Sequence, residues 1–405
     1  MPREKFYVGD SQISRNRTLE CSTHKFPVGE KEKSMNTYFY FIRRCVSFRA
    51  IAMATLCIGV FTAALMLSIT PVQAAKYTMT ISHIYPADFL SNEESPSLER
   101  FRQVVEAATN GDIEVKIFAS GSLGTEVETG KACQRGKTIQ STLMSSGAMS
   151  SFLRNYQLVT TPFLFPNYKT AWAFFDSQYF ADFMRGMVKE SGLRYLGTFD
   201  DGGGYVAFTN NKRLIKTVED IKGLRIRVEE NPAHIITMKA LGASATPLPW
   251  GEVQTALATG LADGQFNAPG VNDAFKLADV TDFTTWSGHI YNTVTWVVSD
   301  KWFQSLPEEY KKIIIRAARE AVTMGHGVAT NISVIGWVNS CKKFKKCYIL
   351  PDSEKAKMRD ITQPAFKKWI TSDFGIDEAL VDEFWSQVNA INSQLESEWM
   401  ERYLK

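Results

Sequence analysis

The chain has 405 residues, 44% of them hydrophobic, enough for two domains of ordinary size. Its formal charge of +3 resides at the amino end: the first 75 residues hold ten Lys/Arg and five Asp/Glu, leaving 36 basic and 38 acidic residues, or about −2, for the remainder. A nucleic-acid partner therefore has no electrostatic motive.

Residues 1 to about 42 are polar, lack apolar periodicity and read as poorly ordered. Arg43, Arg44 and Arg49 then precede an almost uncharged run from Ala50 to Thr70, which ends in Pro71-Val72-Gln73-Ala74-Ala75. A positive region, an apolar region and a small-residue cleavage site predict a secretory signal cut after Ala74, and hence an exported protein. Met35 as the true start would give the signal an ordinary length. The alternative is an uncleaved anchor, because the apolar run approaches spanning length. Cys21, Cys45 and Cys57 leave with the signal. Cys341 and Cys347 bracket Lys342-Lys343-Phe344-Lys345-Lys346, as a small disulfide loop or as two unpaired thiols. The histidines are scattered (His24, His83, His234, His289, His326), so no metal and no cofactor is expected.

The mature portion starts with a strand, Tyr77 to His83, and a helix from about Pro96 to Thr109 closed by Asn110-Gly111. Strand Ile113 to Phe118, helix Glu126 to Arg135 and strand Thr138 to Met144 complete a βαβαβ unit. Arg194 to Phe199 is another strand. Asp200-Asp201-Gly202-Gly203-Gly204 reads as a flexible link to strand Tyr205 to Thr209, and the crossing between domains is placed there. No Gly-Lys-Ser/Thr follows, so it is not a phosphate loop.

A second βαβαβ unit runs from Lys222 to Asn267. Leu224-Arg225-Ile226-Arg227-Val228 alternates apolar and basic residues as a strand. Asn231-Pro232 caps a helix that Gly242 stops. A short strand near Ala245 to Pro247, a helix from about Gly251 to Thr259 and a strand at Gln265 to Asn267 follow. Parallel strands of this kind present their carboxyl ends at one edge, where ligands of open α/β sheets bind. Arg227 and Asn267 lie there, which points to a pocket for a small anion. Strands Phe283 to His289 and Thr293 to Ser299 return the chain. A helix from Pro307 to about Lys342 is long enough to exceed one small domain, and Gly325, Gly327 and Gly336 predict a bend in it. Helices from about Asp352, interrupted at Pro364, and from Asp377 to Tyr403 are expected to cover the second lobe.

Four runs carry a resemblance: Ser120 to Glu128 (SGSLGTEVE), Pro162 to Asn167 (PFLFPN), Lys222 to Val228 (KGLRIRV) and Leu241 to Gln265 (LGASATPLPWGEVQTALATGLADGQ). In this order and spacing the chain, from about Lys76 to its end, resembles the solute-binding proteins of tripartite ATP-independent periplasmic (TRAP) transporters. The resemblance implies an α/β, two-lobed fold of the periplasmic-binding-protein kind, each lobe a mixed sheet flanked by helices, with the long helix bracing both. Lobe I is expected at 75–204 with a return segment 293–332, and lobe II at 205–292, completed by 333–405; residues 1–74 are extension and signal. The implied function is capture of a small organic acid between the lobes, by a monomer, and its delivery to membrane permease subunits.

Arg227 is the expected anchor: a buried strand arginine needs an anion, and its fork suits a carboxylate. The alternative partner is Glu229, Glu230 or Glu252. Asn267 matches an amide on the same carboxylate, or is a turn residue before Ala268-Pro269-Gly270. Trp250 matches an aromatic cover, or is core packing. Glu126 matches an acid taking a ligand hydroxyl or amine, or is a helix-start acid favoured by the dipole. His289 ends a strand near the cleft and His83 ends the first; either is alternatively a structural histidine. Sialic-acid-type members carry a second arginine on the strand read here as Tyr205 to Thr209, and none is present. Nor does an acid occur in Thr138 to Ser145. This implies a ligand with one carboxylate and an apolar or aromatic body. Members that bind a metal use an acid where this chain has Gln265-Phe266-Asn267, so no metal is implied. An enzyme acting on the same acids lacks a visible triad, metal cluster or nucleotide loop. A ligand-binding partner of a membrane sensor would use the same clamp.

Overall fold

The computed structural model describes residues 74–404. The expected extension and the body of the secretory signal therefore lie outside the described residues.

The first α/β unit comprises β1 (Tyr77–Ser82), α1 (Glu94–Ala108), β2 (Ile113–Phe118), α2 (Glu126–Arg135) and β3 (Ser141–Ser145). In β2 the alternation buries Ile113 and Val115 and exposes Glu114 and Lys116. β1 pairs in parallel with β2 and with β3. α2 opens with a capping box between Thr125 and Glu128 and closes on Gly136 in the left-handed conformation. Helices α3 (Tyr168–Phe175) and α4 (Gln178–Ser191) follow, and then β4 (Leu193–Asn210).

The second unit is β5 (Arg225–Val228), α5 (Pro232–Ala240), β6 (Ser244–Pro247), α6 (Val253–Ala258) and β7 (Gly264–Asn267). The Asn231 side chain accepts from the Ala233 amide, and Pro232 takes the first turn, where its missing N–H leaves no bond unmade. β5 pairs in parallel with β6 and β7. Helix α7 (Pro269–Ala274) leads to β8 (Phe283–Ser299).

Both lobes hang on β4 and β8. The strand order is β2-β1-β3-β8-β4-β7-β5-β6, and β9 (Lys346–Ile349) pairs with β8. β4 and β8 are antiparallel over their whole course, with register shifts around Asp200 and Tyr205. The expected flexible link at Asp200–Gly204 is thus corrected to a buried, bulged stretch of one strand. Gly202, Gly203 and Gly204 have φ of 57°, 98° and 73°. A Cβ on Gly203 would lie 2.3 Å from the Ser333 side chain, so these glycines serve close approach as well as backbone conformation. The two return strands are likewise one strand.

The 36-residue helix α8 (Glu308–Lys343) braces both lobes. Its first half packs Ile314, Ala318 and Val322 with Phe101 and Trp296 of the first core. Near its other end Trp337 meets Trp286, and Asn339 donates to Asp273 at 2.7 Å. No break occurs at its glycines; instead a Cβ at Gly325 would meet Phe199, and one at Gly336 the Pro269 carbonyl, each at 2.5 Å. Cys341 and Cys347 form a disulfide that ties the end of α8 to β9. Helix α9 (Asp352–Lys368) continues through Pro364 and places Met358 in the second core with Val228 and Leu241. Helix α10 (Glu378–Tyr403) does not cover the second lobe as expected. Its Phe384 and Val388 enter a core with Phe174 and Phe180 of α3 and α4, because that pair of helices presents an aromatic face needing cover.

Candidate functional site

The carboxyl ends of β3, β5 and β7, and the turns after β1 and β6, open onto a cavity of about 890 Å3. Arg227, Asn267, Trp250 and Glu126 all line it.

Arg227 reaches the cavity because alternation along β5 sends Ile226 into the second core while the carboxyl end of the strand stops at the cleft. The residue is 3% exposed. Its Nε and one terminal nitrogen donate to the Leu248 carbonyl at 3.0 and 2.7 Å. Among the described residues its other terminal nitrogen, Nη1, has no protein partner, and no carboxylate stands within ion-pair distance. Burial pulls its pKa down to about 10, against the upward pull of Glu229, Glu126, Glu230 and Asp201. It remains charged at neutral pH.

Trp250, in the turn after β6, lies 5.6 Å from the Arg227 guanidinium and packs edge-on against Phe275 at 4.8 Å. Asn267 ends β7, 3% exposed; its Nδ2 donates to Gln265 at 2.6 Å and its Oδ1 accepts from Asn292 at 3.4 Å. Glu126 starts α2. Its Oε1 accepts from the Ser145 amide at 2.6 Å and its Oε2 from the Ser145 hydroxyl at 2.9 Å. Burial, reinforced by Glu229 and Asp201 and opposed by the Ser145 bonds, pushes this carboxyl up to about 8.

His289 is a correction. It is fully buried, stacks on Phe208 at 4.5 Å, meets Phe266 edge-on at 4.9 Å and bonds Ser287 through Nδ1 at 2.8 Å. It does not line the cavity. The strand continues past it, so the position is strand interior rather than cleft edge, and burial holds its pKa at about 3. His83 is also buried away from the cavity, with Nδ1 2.9 Å from Glu94.

Sequence reasoning placed Glu126 at the site, named Glu229 and Glu230 only as alternative partners for Arg227, and missed Asp201. Glu229 and Glu230 directly follow β5, and Asp201 sits in the glycine bulge; all three line the cavity. Glu229 was weighed only as a partner for Arg227. It instead accepts from the Gly147 amide at 2.8 Å and the Ser146 hydroxyl at 3.2 Å, bridging from the second α/β unit to the first. Asp201 accepts from the Tyr85 hydroxyl at 2.7 Å, and burial, with Glu229 and Glu94 adding to it, pushes it up to about 7. The strand-end rule, applied to the residues just past β5, would have found the two glutamates.

The model of the family described as bacterial extracellular solute-binding protein, family 7, matches residues 83–373. A solute-binding protein of Verminephrobacter eiseniae is 32% identical over 251 residues, 62% of this chain and 73% of that one. The ectoine/5-hydroxyectoine-binding periplasmic protein of Ruegeria pomeroyi is 28% identical over 283 residues, covering 68% and 82%. Among solved structures, a TRAP periplasmic solute-binding protein of Desulfovibrio salexigens with bound orotic acid superposes with a TM-score of 0.72 at 25% identity, over 78% of this chain and 99% of that one. One from Polaromonas sp. bound to D-erythronate gives 0.69 at 26%, over 78% and 98%.

Proposed function

The chain belongs to family 7 of the bacterial extracellular solute-binding proteins, and from that premise we propose that it captures a small organic acid in the cleft around Arg227 and delivers it to the membrane subunits of a TRAP transporter. The single observation that carries the reading is the buried Arg227, which lines the cavity, keeps a free donor and, among the described residues, has no carboxylate in contact. A guanidinium in such a place is stabilised by a carboxylate brought from outside. Orotic acid and erythronate, bound by the similar structures, are ligands of that kind.

Trp250 covers the guanidinium side of the site and Asn267 supplies a polar wall beside it. Glu126 faces the far part of the ligand. The lobes close by bending at the β4–β8 crossing, and closure excludes water around the carboxylate, which strengthens its contact with Arg227. The protein acts from the periplasm, as a binding protein rather than as a catalyst.

A thermal-shift screen of organic acids on the purified protein identifies the ligand class, since a bound ligand stabilises the folded state by mass action. Calorimetry on the best hit then compares wild type with Arg227→Ala, where a loss of ~2–5 kcal/mol is expected for truncating a buried charge pair. Unchanged affinity refutes the anchor.

A further inference from the structure

The charges around the cavity do not balance. Among the described residues, Arg227 and Lys276 face five acids, Glu126, Glu128, Asp201, Glu229 and Glu230. Glu126 is held by Ser145 and Glu229 by Ser146 and Gly147, so two carboxylates from different α/β units converge on three consecutive residues. Asp201, 6% exposed, stands in the same wall with Tyr85 as its hydroxyl donor. The upward displacement of Glu126 and Asp201 has burial as its main cause, and Glu229 adds to both. Burial and Glu229 keep Glu126 largely protonated near pH 7, and a ligand cation set against the cluster would ionise it. Among the described residues, an anion with no cation of its own would meet Glu128, Glu229 and Glu230 with only Lys276 beyond Arg227 to offset them.

We propose that the ligand is a carboxylate that also carries a nitrogen cation, its carboxylate on Arg227 and its cation against Glu229, Glu126 and Asp201. This rests on the organic-acid reading and narrows it. The apolar surface of Trp250, Phe275 and Val271 takes the body between the two charges. Such a ligand satisfies the free Arg227 donor and the acid cluster together, whereas a simple acid satisfies only the first. The body expected from sequence, apolar or aromatic, is retained; the cation is what the tertiary structure adds.

The test is a thermal-shift and calorimetric panel in matched triplets on the purified full chain. The triplets are butanoate, gamma-hydroxybutanoate and gamma-aminobutanoate; cyclohexanecarboxylate, meta-hydroxycyclohexanecarboxylate and nipecotate; and benzoate, meta-hydroxybenzoate and meta-aminomethylbenzoate. The ammonium member of the best-binding triplet is expected to bind about tenfold or more tighter than its partners. Glu229→Gln is expected to bring that preference below about threefold. Glu126→Gln, a second route that leaves the Gly147 contact untouched, should reduce the preference in the same direction, with unliganded melting curves confirming that both variants fold. Tightest binding by the unsubstituted or hydroxyl member overturns the proposal and leaves the organic-acid reading standing. A preference that survives both substitutions also overturns it. Binding by no carboxylate of any triplet overturns both.

Discussion

The two ends of β5 carry the same side chain and do opposite things with it. Arg225, at the amino end, is exposed and pairs with Asp263 at 2.6 Å, and that hydrogen bond is the first cause holding Asp263 down to about 2. Arg227, two residues on, is buried, and among the described residues its side chain bonds only the Leu248 carbonyl. The outer guanidinium is neutralised within the protein: its half-exposed side chain lies over Asp263, which is 6% exposed. The inner one is desolvated and left with a free donor beside a cavity. The difference teaches that charge alone does not mark a binding residue; withheld neutralisation does.

Breaking the inner end should give the largest effect. Beyond the loss set out for Arg227→Ala, Arg227→Lys should recover only part of the affinity in calorimetry, because an ammonium keeps the charge but not the planar fork. Next comes the turn that receives Glu229. A Cβ on Gly147 would lie 2.6 Å from the Glu229 carboxylate, so Gly147→Ala must displace it. Binding should weaken by ~1–3 kcal/mol, the usual size of an overpacking penalty, while folding is retained on a melting curve.

A buried base away from the cavity sharpens the comparison. Among the described residues no acid pairs with His289, and burial, its main influence, holds it at about 3 against an ordinary 6.5. The unfolded chain therefore binds a proton between those values that the native state does not. Stability contributed by the neutral ring is intact above 6.5 and is lost as pH falls below it. At about pH 5.5 the loss is about 1.4 kcal/mol, and His289→Phe should remove that part of the acid sensitivity in urea titrations. The smallest effect on binding is at the outer end: Arg225→Ala should leave ligand affinity near that of the wild type, while the melting temperature falls because the buried Asp263 loses its main partner. A large loss of affinity there would erase the distinction between the two arginines.

Much of this was readable along the chain. Asn231-Pro232 and Gly242 bound α5, because caps act within a few residues. Arg227, Asn267, Trp250 and Glu126 were placed at the site by a strand-end argument and by resemblance, and the structure brings all four to one cavity. His289 was misplaced because alternation does not show where a strand ends when its register partner lies far away in sequence. The partner of β8 is β4, whose pairing Asp200↔Thr293 and Tyr205↔Tyr291 joins residues about ninety positions apart. The same ignorance made a link of Gly202–Gly204 and a second-lobe cover of α10.

The sequence by itself determined the two βαβαβ units, the cap of α5 and the length of the long helix, all of which depend on local periodicity and on backbone groups seeking near neighbours. The bracing role of that helix and the inner arginine as anchor came from the resemblance. Only the tertiary structure decided that β4 and β8 run unbroken, that α10 lies against α3 and α4, and that Glu126, Asp201 and Glu229 crowd one cavity. Those outcomes turn on which distant surfaces are buried together, and burial and field strength are properties of the assembled neighbourhood rather than of any stretch of chain.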